Sequence, residues 1–191
     1  QVSVDASHTD EGYVMVQYTG ENDRVKLLLQ TPGGQTYTYL LSRNQIYETF
    51  PFPSGDGIYT LQVYEHVKNN AYTLIYTQEL TVTLRNEFLP FLYPSQYVSF
   101  TPGSLCAAIS EKVCRDARTD LEAVGALYRY VSRNISYDTE KAARITYGYV
   151  PDVDEILKSG RGICFDYAAV LTAMLRSRGI PAKLEIGYAD E

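Results

Sequence analysis

The period of the apolar pattern changes once along this chain, and that change constrains the fold more than any other feature. Residues 1–86 read as strands, several of which alternate apolar and polar side chains with a period of two; from Ser104 the period becomes helical. A chain cannot bury both patterns in one kind of element, so two regions of different class are expected. Five segments of the first region read as strands: "GYVMVQYTG" (12–20), "RVKLLLQT" (24–31), "QTYTYLLS" (35–42), "GIYTLQVYEHV" (57–67) and "ELTVTLRN" (79–86). Turn signals separate them, "TPGG" at 31–34, "PFPSGDG" at 51–57 and "KNN" at 68–70. Short strands at this spacing point to an all-β sandwich of immunoglobulin-like or fibronectin-like type. Residues 87–103 hold three prolines and five aromatics. They are expected to be a linker packed along a surface, with a ligand-binding aromatic strip as the rival reading.

The second region is expected to start with a helix near Ser104, carrying Leu105, Ala108, Ile109 and Val113 on one face. Thr119 and Glu122 form a capping-box pattern ahead of a second helix, whose stripe is read as Leu121, Val124, Leu127 or Tyr128, and Val131. A loop carrying Tyr137, Tyr147 and Tyr149 follows. Asp152 and Glu155 then open a short helix that stops at Gly160.

The chain has 191 residues, 45% of them apolar, enough for a large domain or two small ones. Its net charge is −6, with ten acidic and five basic residues in 1–100 against thirteen and twelve in 101–191. No basic stripe offers itself to nucleic acid or to an anionic membrane. No apolar run approaches the roughly 18 residues needed to span a bilayer. The β-rich front half suggests a secreted or cell-surface protein. Of the three cysteines, Cys106 and Cys114 are eight residues apart in one expected helix. Eight helical rises separate them by about 12 Å, too far for a disulfide, and both are expected to pack in a core. No Cys/His cluster has metal-ligand spacing.

The stretch "GRGICFDYAAVLTAMLRSRGIP" (160–181) carries the chemistry. Gly160 and Gly162 permit an unusual backbone path and leave room for a substrate beside Cys164. Cys164, Ala168, Leu171 and Leu175 recur at helical spacing, so a helix is expected from Cys164 to Gly179, with Pro181 beyond it. "AKLEIGY" (182–188) then alternates like a strand. The first turn of a helix offers unpaired N–H groups and a partial positive charge, which favour thiolate and can stabilise an oxyanion. A buried cysteine opening an apolar stripe is the competing reading.

"RGICFDYAAVLTAMLRSRGIPAKLEIGYAD" resembles the core of the transglutaminase-like superfamily. The resemblance rests on Gly162, Cys164, Asp166, Tyr167, Ala168, Leu175, Arg176, Gly179, Ile180, Pro181 and Ala182, with "LYRYVSRNISYD" (127–138) upstream. It covers residues 104–191 and implies an α+β, papain-like core that works without metal or organic cofactor. It implies that Cys164 is the nucleophile of a Cys–His–Asp triad, attacking an amide of a protein or peptide to form a thioester. Water would resolve the thioester in a peptidase or deamidase, an amine in a transglutaminase. Gly162, Asp166, Tyr167 and Tyr137 become candidates for lining or supporting the cleft, and a helix-dipole role is the preferred reading of Asp166. The chain's two histidines, His8 and His66, lie in the β region, and Asp190 comes too early for the triad acid. The chain is therefore expected to be the front portion of a longer enzyme, inactive alone. Its domains would be a sandwich over 1–86, a linker over 87–103 and a truncated core over 104–191. The alternative is a noncatalytic surface interaction module. An unpaired edge strand would also permit dimerisation.

Overall fold

Alternating side chains do build a β unit at the front of the chain. The computed structural model describes residues 1–42 and 45–187, and the chain divides into two units, Gln1–Pro90 and Phe91–Glu191. In the first, β1 (Val2–Asp5), β2 (Tyr13–Tyr18) and β5 (Glu48–Pro51) form an antiparallel sheet in the order β1-β2-β5. A second antiparallel sheet has the order β4-β3-β6-β7, from β3 (Val25–Gln30), β4 (Thr36–Leu41), β6 (Gly57–Lys68) and β7 (Ala71–Val82). Both sheets are open.

Every second residue of β2, β3 and the first half of β6 is buried: Val14, Val16 and Tyr18; Val25, Leu27 and Leu29; Tyr59, Leu61 and Val63. Rings from the two sheets meet. Tyr39 of β4 lies 4.9 Å from Phe50 of β5, and Phe52 lies 4.7 Å from Tyr59 of β6.

Two expectations need correction here. β1 and β5, four residues each, are edge strands too short to show a period, and β5 takes in Pro51, which was read as turn. The last strand occupies Ala71–Val82 and not 79–86. Its first half is largely exposed on both faces, so ladder bonds to β6 hold it where no alternation marks it. His8 stacks on Tyr13, and His66 Nε2 lies 2.8 Å from Asn69 O, so both histidines are engaged within this unit.

The second unit is helical: α1 (Leu105–Val113), α2 (Asp120–Asn134), α3 (Thr139–Arg144), α4 (Val153–Ser159) and α5 (Cys164–Ser177). Two short strands, β8 (Ser136–Tyr137) and β9 (Arg161–Gly162), pair in parallel. α3 and β8 fall where only loop was expected. α5 packs on α1, α2 and α4, and its Ala169, Val170, Ala173 and Met174 are fully buried. Val98, from the stretch read as linker, is buried in this core, with Tyr97 and Phe100 against it.

Helix ends follow their sequence signals closely. Ser104 Oγ accepts from Ala107 N, Thr119 Oγ1 from Glu122 N, and Asp152 Oδ1 from Glu155 N. The expected box at Thr119 closes differently, because the Glu122 carboxylate accepts from Arg118 N, one residue before the cap. At Gly179, φ is 73°, Gly179 N donates to Arg176 O and Ile180 N to Leu175 O, a Schellman ending.

The apolar stripes are rotated from those expected. α2 buries Ala123, Leu127 and Val131 and leaves Leu121 and Tyr128 exposed. On α5, Cys164 and Ala168 lie outside the buried face. The expected strand over 182–188 is not formed at residues 182–187. No strand among the described residues takes its ladder bonds, and Ala182 N donates instead to Phe91 O, 3.0 Å away. Tyr188 and Asp190 lie outside the described residues.

Two polar anchors, Asp154 half-buried and Arg176 buried, brace this unit. The Asp154 carboxylate of α4 accepts from Leu105 N and Cys106 N, each at 2.9 Å, so a side chain of α4 holds the first turn of α1. Arg176 is buried, and its guanidinium donates to Ala182 O at 2.9 Å and Tyr93 O at 2.6 Å. Burial pulls its pKa down to about 10. Asp154→Ala removes an acceptor from two first-turn amides and is expected to lower unfolding free energy by about 1–2 kcal/mol. Urea denaturation monitored by circular dichroism measures it, and an unchanged midpoint would refute the bracing role.

Candidate functional site

Cys164 is the first residue of α5, and its position follows from three local features. Gly160 ends α4 in the left-handed region at φ 63°, a turn that a side chain would strain. β9 then runs beside β8, with Ser136 N donating to Gly160 O at 2.8 Å and Asp138 N to Gly162 O at 2.9 Å. Ile163 is extended and forms the N-cap of α5. The thiol therefore sits where a helix begins, immediately after a strand, on the open side of the helix. Cys164 is exposed.

The other two thiols contrast with it. Cys106 is fully buried, and burial pushes its pKa up to about 12; burial raises that of Cys114 as well. Both are packing residues with little tendency to ionise. Exposure of Cys164 removes the reading in which it opens a buried apolar stripe.

Gly162 has a different job from the one expected of it. A Cβ there would lie 2.8 Å from Asp166 Cβ, so the missing side chain makes room for Asp166 and not for a substrate. Asp166 itself is fully buried. Its Oδ2 accepts from Ile163 N at 2.9 Å and from Lys141 Nζ at 2.5 Å, and its Oδ1 accepts from Tyr149 OH at 2.7 Å. Helix-dipole stabilisation thus describes only part of its surroundings.

Lys141, on α3, also donates to Tyr149 OH at 2.6 Å, and its ammonium lies 4.5 Å from the centre of the Tyr149 ring. Burial alone would lower the Lys141 pKa, but the hydrogen bonds to Asp166 and Tyr149 and the Asp166 charge hold it above its ordinary value. Burial raises that of the Tyr149 phenol.

Tyr167 ties α5 to the end of α2 by donating to Ile135 O at 2.6 Å. That bond fits the supporting half of its expected role. Tyr137 pairs directly with Gly162 in the β8–β9 ladder and is 55% exposed, which leaves its ring open to solvent beside the segment that carries Cys164. Phe165 packs edge-on against Tyr97 at 5.4 Å and Tyr149 at 6.3 Å.

Sequence reasoning did not find Lys141 and Tyr149. They lie 25 and 17 residues before Asp166, in a stretch read as loop, and no spacing rule connects them to it. The only available signal was the Asp138 cap of α3, whose Oδ1 accepts from Lys141 N at 2.9 Å. Beside the cluster lies a cavity of about 460 Å³ lined by Asp138, Lys141, Arg144, Tyr149 and Arg161 among others. Its charges are largely paired with one another; Arg161, for example, meets Asp138 at 3.3 Å. Among the described residues, no group of three or more His, Cys, Asp or Glu side chains converges as a metal site would require, and no helix is long and apolar enough to cross a membrane.

The Lys141 interaction has a defined pH signature. A folded pKa above the ordinary 10.5 means its stabilisation is complete below pH 10.5 and is lost as pH rises through the higher folded value. Lys141→Met should therefore be less stable than the unaltered chain at neutral pH, and the gap should narrow in that alkaline window. Urea midpoints measured across both ranges test this; a gap independent of pH would contradict it.

Residues 107–191 match the family model of the transglutaminase-like superfamily. No curated protein matches the chain. Among solved structures, the crystal structure of a candidate protease from Parabacteroides distasonis ATCC 8503 aligns at 12% identity with a TM-score of 0.37. That alignment covers 95% of this chain and 51% of the other, so this chain spans about half the length of that protein.

Proposed function

We propose that this chain is the front portion of a transglutaminase-like cysteine enzyme acting on amide bonds of proteins or peptides, with Cys164 as nucleophile. The observation that carries the reading is the family match over residues 107–191, which contains Cys164 as an exposed thiol at the start of a helix. A helix that begins at the nucleophile presents first-turn N–H groups beside it, suited to an oxyanion.

In the proposed reaction the Cys164 thiolate adds to the amide carbonyl. The carbon–nitrogen bond breaks, the amine leaves with a proton supplied by a general acid, and a thioester remains. Water or a second amine then adds to the thioester and restores the thiol. The unit Phe91–Glu191 contains no histidine. The reading therefore takes the general acid–base and its orienting carboxylate from beyond this chain, which alone is expected to turn over little. Gly162 and Asp166 support the nucleophile's turn, Tyr167 braces the helix, and Tyr137 is the aromatic that the substrate would meet. The β unit, read as an immunoglobulin- or fibronectin-like sandwich, and a secreted or cell-surface location belong to the same proposal.

The test is turnover by the protein expressed from the complete reading frame, on glutamine-containing and backbone-amide peptides with hydroxylamine as acceptor. Hydroxamate or hydrolysis product is expected, falling at least about a thousandfold in Cys164→Ala. Turnover that survives Cys164→Ala, or a reading frame with no histidine beyond Glu191, would overturn the proposal.

Pairing of two copies through an exposed edge strand is part of this reading. Sedimentation should show a concentration-dependent dimer. A single monomeric species at high concentration would exclude it.

A further inference from the structure

We propose that Lys141 and Tyr149 are positioning residues for Cys164, acting through the buried carboxylate of Asp166. The inference rests on Cys164 being the reactive thiol. A carboxylate three residues into a helix can close on the N-cap amide while remaining in water. Asp166 makes that bond to Ile163 N, yet it is fully buried, which is far more desolvation than a cap requires. Such burial is costly without a counter-charge and further donors. Lys141 provides the charge at 2.5 Å and Tyr149 a hydroxyl at 2.7 Å, and the two reach Asp166 from α3 and from the segment after it.

The result is a clamp on both neighbours of the cysteine. Ile163, before it, is fixed by the Asp166 carboxylate. Phe165, after it, is fixed by the rings of Tyr97 and Tyr149. Cys164 lies exposed between two anchored residues, so its backbone is held while its thiol remains accessible. Reactive groups need a supporting shell of this kind, because small displacements of a nucleophile cost large factors in rate. Tyr149 serves twice, through its hydroxyl and through its ring.

The test is the second-order rate of Cys164 alkylation by iodoacetamide in the 191-residue chain, where Cys106 and Cys114 are buried. Lys141→Met should slow alkylation roughly tenfold and Tyr149→Phe about threefold, as loss of the counter-charge and of a single hydrogen bond to the carboxylate implies. Lys141→Arg should recover most of the rate. Lys141→Met combined with Asp166→Asn should be no slower than Lys141→Met alone, because both act through one carboxylate. Asp154→Ala, a destabilising change elsewhere in the unit, should lower the melting temperature and leave the rate unaltered. If Lys141→Met and Tyr149→Phe lower the melting temperature but react like the unaltered chain, the cluster is merely structural and the proposal falls. Should Lys141→Met fail to fold, Tyr149→Phe decides alone, since it deletes a single oxygen. Alkylation reports thiol reactivity and not turnover. Failure of the catalytic reading in the Cys164→Ala assay would therefore be seen separately from failure of this series.

Discussion

The second unit is organised around a carboxylate that water does not reach. Asp166 binds the amide that opens α5, the ammonium of α3 and a phenol from the segment between α3 and α4. Gly162 has no side chain because Asp166 occupies that space. A buried ion with three donors tolerates few rearrangements, since displacing any partner leaves charge uncompensated in the interior. The glycine turn, the helix start and the placement of Cys164 are all consequences of accommodating this one group.

The two units solve the burial problem by different means. In the β unit, alternation puts every second side chain inside, and aromatic rings close the gap between sheets. In the helical unit, the apolar faces of α1, α2 and α4 gather on α5, and polar anchors set their registration. Asp154 of α4 binds two amides at the start of α1, and Arg176 binds two carbonyls from segments that have no other regular structure. Packing alone is indifferent to a small helix rotation, whereas hydrogen-bonded charges are not.

Local rules carried the sequence reading where the physics is local. Ser104, Thr119, Asp152, Gly160 and Gly179 all act at the helix ends to which they were assigned, because capping involves atoms within a few residues. The phases of the α2 and α5 stripes were misread. Leu121 and Tyr128 are apolar yet exposed, and the side of α5 that begins with Cys164 is open. Hydrophobicity marks what a helix can bury, but neighbouring elements decide which face it does bury. The short edges β1 and β5 and the largely exposed first half of β7 were missed because pairing, and not burial, defines them. Cys164 was legible from a glycine turn, a helix start and a family resemblance. Its supporting cluster was not, since Lys141 and Tyr149 meet Asp166 only through the tertiary fold.

The contact between Arg176 and the Tyr93 carbonyl joins residues 83 positions apart, and Ala182 N reaches back to Phe91 O beside it. These bonds stitch the two ends of the helical unit together. Helices such as α2 can form early from local contacts, but this seam requires nearly the whole unit to be gathered before it returns any energy. Closure is thus a late event in folding. During synthesis, the helices that precede α5 emerge well before the seam can shut, and the unit must wait for its last described residues to become fully native.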